Sequence, residues 1–316
     1  MDARLESLLR LTAKLYYLDG LSQTQIGELL GLSRPKVSRL LTRALNDGIV
    51  RISVKEYEPR HLALEAKLKS TFNLNNAIVI RIVGASDLES VRGTVGYLAA
   101  PFVSEWISPN AIIGLSGSRS LYRVIQHMHP PSEMRGAVVV QLMGNIGASV
   151  NYFDAIENCR TLASSFGGVY YTLNAPAITP HVESCQTFMA HQDVRTIWEL
   201  FGAMQIAFVG IGSLEHSTFI EREVIGLEEV EQLKACGAVG EMCGRFYDHD
   251  GQECLPALQD RVIAIRLDEL RKIREVVGVT AGAGRAEAVL AAMRGGLIKS
   301  LVIDEIGAKA ILDIHI

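Results

Sequence analysis

The opening of the chain spaces its apolar residues three and four apart, in blocks that end at glycine or at turn residues. In "RLESLLRLTAKLYYLDG" the positions Leu8, Leu11, Leu15 and Leu18 share one helical face, with Tyr16 and Tyr17 beside them. That predicts an amphipathic first helix ending near Gly20. Ser22 stands where an N-cap belongs, and Ile26, Leu29 and Leu30 give a second helix its apolar face before Gly31 stops it. Ser33 caps a third helix, in which Pro35 is tolerated because first-turn amides have no intrahelical acceptor to lose. Val37, Leu40, Leu41 and Ala44 then point inward, which leaves Arg34, Lys36, Ser38, Arg39 and Arg43 outside. "NDGIVRISV" adds a turn signal and an alternating strand, as in the wing of a winged helix. After the linker-like "KEYEPRH", "LALEAKLKSTFNL" predicts a helix with apolar Leu62, Leu64, Leu68 and Phe72.

From residue 77 the pattern changes to short, continuously apolar runs: "AIVIRIV", "AIIGLS", "GAVVVQLMG", "GVYYTLNAP", "MQIAFVGIG", "VIAIRL", "EVVGVTAG" and "SLVIDE". Helical stretches such as "DLESVRGTVGYLAAPFVSEWI" lie between them. Strands apolar on both faces and joined by helices imply an α/β fold, a doubly wound, mostly parallel sheet covered on both sides. Several runs end directly in glycine, and ligands of such sheets bind where strands end and loops begin. The expected division is therefore residues 1–55 as a winged helix-turn-helix, 56–76 as linker and connecting helix, and 77–316 as a ligand-binding domain.

Composition changes this picture in two places. The chain of 316 residues carries a formal charge of −4, but residues 1–55 hold nine Lys and Arg against five Asp and Glu, a net of +4. The remainder is acidic. A basic head on an acidic body is the sign pattern expected when only the head meets nucleic acid. The five cysteines, Cys159, Cys185, Cys236, Cys243 and Cys254, form no CxxC pair, which argues for reduced thiols rather than a disulfide framework or a zinc ribbon. No metal or cofactor is called for. No apolar run reaches membrane-spanning length, and "MDARLESLLR" lacks the pattern of a signal peptide, which places the chain in the cytoplasm and off the membrane.

In a helix-turn-helix the first helix of the pair braces across the DNA backbone, and the second presents its N-terminal side chains to base edges in the major groove. Ser33, Arg34, Lys36, Ser38, Arg39 and Arg43 are the candidates to face double-stranded DNA. Arginine can pair with both guanine acceptors, whereas serine and lysine more often hold phosphate.

In the body, "IIGLSGSRSLYRVI" runs a strand into a Gly/Ser loop that opens a helix. Glycine lets backbone come close, successive amides favour an anion, and hydroxyls can donate to it, so Gly114, Ser116, Gly117, Ser118, Arg119 and Ser120 are phosphate-site candidates. The loop is neither a Walker loop nor a GxGxxG fingerprint, and a purely structural glycine turn would also fit it. Gly144, Asn145 and Glu157 around "LMGNIG", Gly210 and Gly212 in "VGIGSL", Glu241 in "GAVGEMCGRFYDHDG", and Arg285 in "GAGRAEAVLAAMRGG" complete the set. Asn151, Asp154 and Asn158 are further polar candidates.

The head, together with "GAVGEMCGRFYDHDG" and "GVTAGAGRAEAVLAAMRGGLIKSLVIDEIGAKAIL", resembles the SorC/DeoR-type family of bacterial sugar-responsive transcriptional regulators over nearly the whole chain. The resemblance implies a winged helix-turn-helix joined to a domain similar to sugar-phosphate isomerases. It also implies a homodimer or homotetramer, operator DNA as partner, and a sugar or sugar phosphate as effector. On this resemblance the phosphate loop is Gly114 to Ser120, the effector-facing carboxylate is Glu241 and the basic residue is Arg285. The loop reads "GLSGSRS" where the family commonly has GxGxGxT, and Glu241 stands where an Asp is common. The competing expectation is an isomerase or deaminase with a DNA-binding appendage, which would need an acid and base pair such as Glu241 with His249.

Overall fold

The structure, a computed structural model, describes residues 3–55, 57–84, 87–130, 136–254 and 256–315. The chain divides into two compact units, residues 1–57 and 58–316.

The first unit is built from helices α1 (Ala3–Tyr17), α2 (Gln23–Leu30) and α3 (Arg34–Asn46). Ser22 accepts from Gln25 N while the Gln25 side chain accepts from Ser22 N, a reciprocal cap that satisfies two amides the helix leaves open. Gly31 ends α2 in the left-handed region at φ 65°. Gly27 lies buried where α2 meets the turn, and a methyl group there would collide with the Leu32 carbonyl. Ile26, Val37, Leu40, Leu41 and Ala44 are buried against α1.

Two expectations change here. The buried face of α1 is Leu9, Thr12, Ala13 and Leu15, whereas Leu11 and Leu18 are exposed, because Leu5, Leu9, Thr12 and Ala13 also fall at helical spacing and that stripe meets α3. The wing strand does not form. Gly48 makes its turn at φ 70°, but residues 51–55 pair with no strand among the described residues, and Ile52 and Val54 stay exposed.

The second unit is an open seven-stranded sheet. Its strands are β1 (Asn76–Ile80), β2 (Ile112–Leu115), β3 (Val138–Gln141), β4 (Val169–Tyr171), β5 (Ile206–Gly210), β9 (Glu275–Val279) and β10 (Ser300–Asp304). The short β6 (Gly212–Ser213), β7 (Gly240–Met242) and β8 (Arg245–Tyr247) form a separate antiparallel sheet. The large sheet runs β1-β10-β9-β5-β2-β3-β4 with every pair parallel. Its helices are α4 (Leu62–Phe72), α5 (Leu88–Ser104), α6 (Arg119–Ile125), α7 (Ala155–Ser165), α8 (Val182–Ala190), α9 (Gln192–Ala203), α10 (Thr218–Glu221), α11 (Leu227–Ala235), α12 (Pro256–Gln259), α13 (Leu267–Lys272), α14 (Ala286–Arg294) and α15 (Glu305–His315).

Alternate strand residues feed two cores. Ala77, Val79, Val140 and Val276 enter one, and Ile78, Ile80, Val139 and Val277 enter the other, so the sheet is covered on both faces except at its edge strand β4, whose three residues are exposed. Each of these Val and Ile side chains contributes about 1.5–3 kcal/mol by leaving water. Between β2 and β5 the winding direction reverses: from β2 the chain moves to β3, and from β5 it moves to β9. Such a reversal opens a crevice beyond the strand ends.

Two further expectations are corrected. Helix α4, expected as a connector outside the ligand-binding domain, packs on β1, where its buried Glu65 accepts the Val79 amide at 3.0 Å and pairs with Arg60. It belongs to the second unit. The apolar run 262–267 is not a sheet strand. It makes isolated bridges to Met143 and Ile178, and the carbonyls of Ala264 and Ile265 are taken by the buried Arg245 guanidinium at 3.1 and 2.8 Å.

Candidate anion site and nucleic-acid interface

The crevice at the winding reversal holds a cleft open to solvent at its mouth. The loop after β2 supplies Gly117, Ser118, Arg119 and Ser120, the end of β5 supplies Gly210, Ile211 and Gly212, and α5 supplies Arg92. His216, Thr218, Glu241 and Arg285 complete the wall. Eight of the residues marked from sequence thus surround one space: Gly117, Ser118, Arg119, Ser120, Gly210, Gly212, Glu241 and Arg285.

Local chemistry explains how they meet. Gly210 has no side chain because Ser118 lies against it, and a methyl group there would collide with Ser118 Cβ. Ser118 caps α6, its Oγ accepting the Leu121 amide at 3.4 Å. Glu241 reaches the cleft from the small sheet, where its partner across β6 is Gly212. Cys243 and Gly244 turn between β7 and β8 with φ of 56° and 78°, the backbone a tight two-residue hairpin needs. This turn aims the Gly244 amide at Glu241 Oε1, 2.6 Å away. Asp304, fully buried at the end of β10, accepts the Gly282 amide at 2.5 Å and those of Ile306 and Gly307 at 2.9 and 3.0 Å. That carboxylate pins the glycine loop that presents Arg285.

The electrostatics of the cleft are unbalanced. Arg119 pairs with Glu221 and lies over the Phe153 ring, and Arg92 pairs with Glu89 while its Nε stays buried without an acceptor. Arg285 is 9% exposed, and its guanidinium makes no hydrogen bond or ion pair among the described residues. Burial, with the neighbouring Arg92 and Arg119 charges, pushes it down to about 10. Glu241 is pushed up to about 7 because burial outweighs its bond to the Gly244 amide. The site therefore joins an anion-seeking end to a carboxyl that can meet hydroxyls.

Five marked residues do not face the cleft. Gly114 is a packing glycine within β2, where a methyl group would strike Leu142 and Met204. Ser116 is spent inside the fold: its Oγ accepts the Gly210 amide at 2.9 Å, and its carbonyl accepts from Asn158 at 2.8 Å. Gly144 lies against the Pro176 backbone, and Asn145 bonds Gln141 and the 175–177 segment. Glu157 pairs with Arg160 on the face of α7. Asp154 and Asn151 meet Arg222 rather than the cleft. His249 is exposed beside Glu287 and does not line the cleft with Glu241, so the acid and base pair expected of an isomerase is not assembled from those two residues. Sequence reasoning missed Arg92, His216 and Thr218, and it missed Asp304 beneath the arginine loop.

On the head, Ser33, Arg34, Lys36, Arg39 and Arg43 are exposed on α3, and Ser38 is half-buried among them. Arg39 Nε reaches its own helix at the Pro35 carbonyl, 3.4 Å away, and Arg43 pairs with Asp47 at 3.2 Å. Ser33 takes the N-cap backbone position without a side-chain bond to the helix, which leaves its hydroxyl outward. Among the described residues no group of three His, Cys, Asp or Glu could hold a metal ion, and no helix is long and apolar enough to cross a membrane.

Comparison with known proteins adds to this geometry. The Sugar-bind family of sugar-binding domains matches residues 59–313, and sigma-70 region 4 matches residues 10–47. The chain is 29% identical to the deoxyribonucleoside regulator of Bacillus subtilis over 99% of both chains. It is 30% identical to the transcriptional regulator LsrR of Escherichia coli O139:H28, covering 94% of this chain and 92% of that one. The crystal structure of the full-length sorbitol operon regulator SorC from Klebsiella pneumoniae matches with a TM-score of 0.78 at 27% identity, over 99% of both chains.

Proposed function

The chain belongs to the SorC family of sugar-binding transcriptional regulators, and from that premise we propose that it controls a carbohydrate-catabolic operon through a phosphorylated sugar or polyol bound in the β2/β5 crevice. One observation carries the choice of a phosphorylated ligand: the Arg285 guanidinium is nearly buried beside Arg92 and Arg119 and makes no hydrogen bond or ion pair among the described residues, the Glu221 and Glu89 charges acting on it only at longer range. Burying an unpaired charge is costly, and a bound phosphate would offset that cost with charge-assisted bonds. Ser118 Oγ and the Gly117 and Gly212 backbone flank the same space, and Glu241 supplies an acceptor for sugar hydroxyls.

The head would carry the output. Arg34, Lys36 and Arg39 on α3 are free to meet operator DNA, with Ser33, Ser38 and Arg43 beside them. The coupling is linkage: an effector that favours one disposition of subunits shifts the population by its differential affinity and no more. A single head covers one half-site, so the working form is a homodimer or homotetramer acting on cytoplasmic DNA. Sedimentation of the full chain should show a dimer or larger at micromolar concentration, and a monomer with and without operator would contradict it.

The test of the function is a thermal-shift screen of free and phosphorylated sugars and polyols, followed by operator binding by fluorescence anisotropy with each hit. A phosphorylated hit that raises the melting temperature, changes operator affinity and is recovered unconverted supports the regulator. Turnover of that hit would support a catalyst instead.

A further inference from the structure

Cys236 and Cys254 come together beside the hairpin that carries Glu241. Cys236 follows α11 and is exposed. Cys254 is 7% exposed, and its Sγ lies 3.7 Å from the Cys236 carbonyl oxygen. Backbone bonds hold the two segments in place. The Ala238 amide donates to Leu233 O at 3.0 Å, turning the chain off α11 through Gly237, and the Val239 amide donates to Tyr247 O at 2.9 Å. On the other side the Cys254 amide donates to Phe246 O at 2.8 Å, and Tyr247 and Glu253 form a bridge. The chain that enters β7 and the chain that leaves β8 are therefore neighbours, with one cysteine on each and the Cys254 Sγ against the Cys236 backbone.

We propose that Cys236 and Cys254 form a redox site that a hydroperoxide converts to an intramolecular disulfide. Exposure selects the order of events. Cys236 as thiolate attacks the hydroperoxide, the O–O bond breaks, and the sulfur becomes a sulfenic acid while the alcohol or water departs. Cys254 then attacks the Cys236 sulfur, the S–O bond breaks, and the displaced hydroxide leaves as water with the Cys254 proton. Two thiols lose two electrons and two protons in all, and the hydroperoxide accepts them. Burial, with the Cys236, Asp248 and Glu253 groups nearby, pushes Cys254 up to about 12, which keeps it a thiol until its neighbour has reacted. Cys159 and Cys243 are buried and raised further, which leaves them inert. The disulfide would close a loop containing β7, β8 and Glu241, bracing that wall of the cleft.

The full-length protein, treated with hydrogen peroxide and then alkylated, tests this by peptide mass spectrometry after cleavage at glutamate and at basic residues. Glu241 lies between Cys236 and Cys243, so the two are resolved. The expected product is a Cys236–Cys254 linked pair, two hydrogens lighter than the separate peptides, in wild type and in Cys243→Ser, and lost in Cys236→Ser and Cys254→Ser. Cys236 is exposed, so its variant decides the result even if Cys254→Ser folds poorly. Amide exchange across residues 237–253 should slow on oxidation and recover with dithiothreitol. The proposal is overturned if both cysteines remain alkylatable after peroxide, if Cys236 goes on to sulfinic acid unlinked, or if the linkage joins two chains. Unchanged exchange in a linked protein would overturn the bracing.

Discussion

Two groups of basic residues in this molecule differ in their surroundings more than in their chemistry. On α3, Arg34, Lys36, Arg39 and Arg43 stand in water, apart from local contacts to Pro35 and Asp47. In the cleft, Arg92 and Arg285 are nearly buried, and Arg119 completes a cluster in which Arg285 has no partner among the described residues. Exposed cations gain little from any one anion, and they act on a polyanion by summed, salt-sensitive contacts. A buried cation without a partner is a single high-energy group, and one well-placed anion relieves it. Under the proposed function the same residue type would meet DNA in one unit and a small phosphorylated ligand in the other, with burial making the distinction.

The sharpest way to break the comparison is to remove the buried charge. Ser118→Ala combined with Arg285→Ala should lower effector affinity at least tenfold and on the order of a hundredfold, since a charge-assisted bond is worth roughly 1.5–3 kcal/mol. Operator affinity without effector should stay at the wild-type value. Calorimetric titration with the screened effector, alongside anisotropy with operator, reads both quantities. Loss of operator binding in the absence of effector would show that the two groups are not separable as described.

The reciprocal change is Arg39→Ala. It should weaken operator binding by about 1–3 kcal/mol if Arg39 reads a base, or lower the slope of affinity against salt by about one if it holds a phosphate. Effector binding should be unaltered. A salt titration that superposes on wild type would remove Arg39 from the interface.

The smallest expected effect on binding belongs to Glu241. Its folded value of about 7 lies above the ordinary 4.5, so the folded chain holds more protons than the unfolded chain between these values. Its contribution to stability is full below pH 4.5 and is lost as pH rises through about 7, by roughly 3 kcal/mol at most. Ligand hydroxyls donate to the charged form, so effector affinity should rise a few-fold between pH 6 and pH 8. Glu241→Gln should flatten both dependences. Equal pH profiles for the variant and wild type would exclude Glu241 as their source.

Much of this was legible in the chain because its causes are local. Ser22, Gln25 and Gly31 declare the ends of α2 within a few residues, and the stripe from Val37 to Ala44 fixes the buried face of α3. The cleft was half legible. Ser118, Gly210 and Gly212 announce themselves at strand ends, but Gly114 and Gly144 look the same in sequence, and only the side chains and backbone lying against them reveal packing glycines. Arg92 sits within a long helix, and His216 and Thr218 follow β6, so no spacing links them to Arg285. In the head, alternation from Ile49 to Val54 signals a strand, but alternation states a preference and not a pairing partner. Asp304 was hidden because a carboxylate that holds backbone amides carries no motif beyond its position at the end of β10.

The central claim is that the β2/β5 crevice recognises a phosphate. It is tested most directly by calorimetric titration of the wild-type protein with the phosphorylated sugar or polyol found by screening, and then with the same molecule lacking its phosphate. The phosphorylated form should bind at least tenfold more tightly. Equal or tighter binding of the unphosphorylated form would contradict the account and make a neutral sugar or polyol the effector.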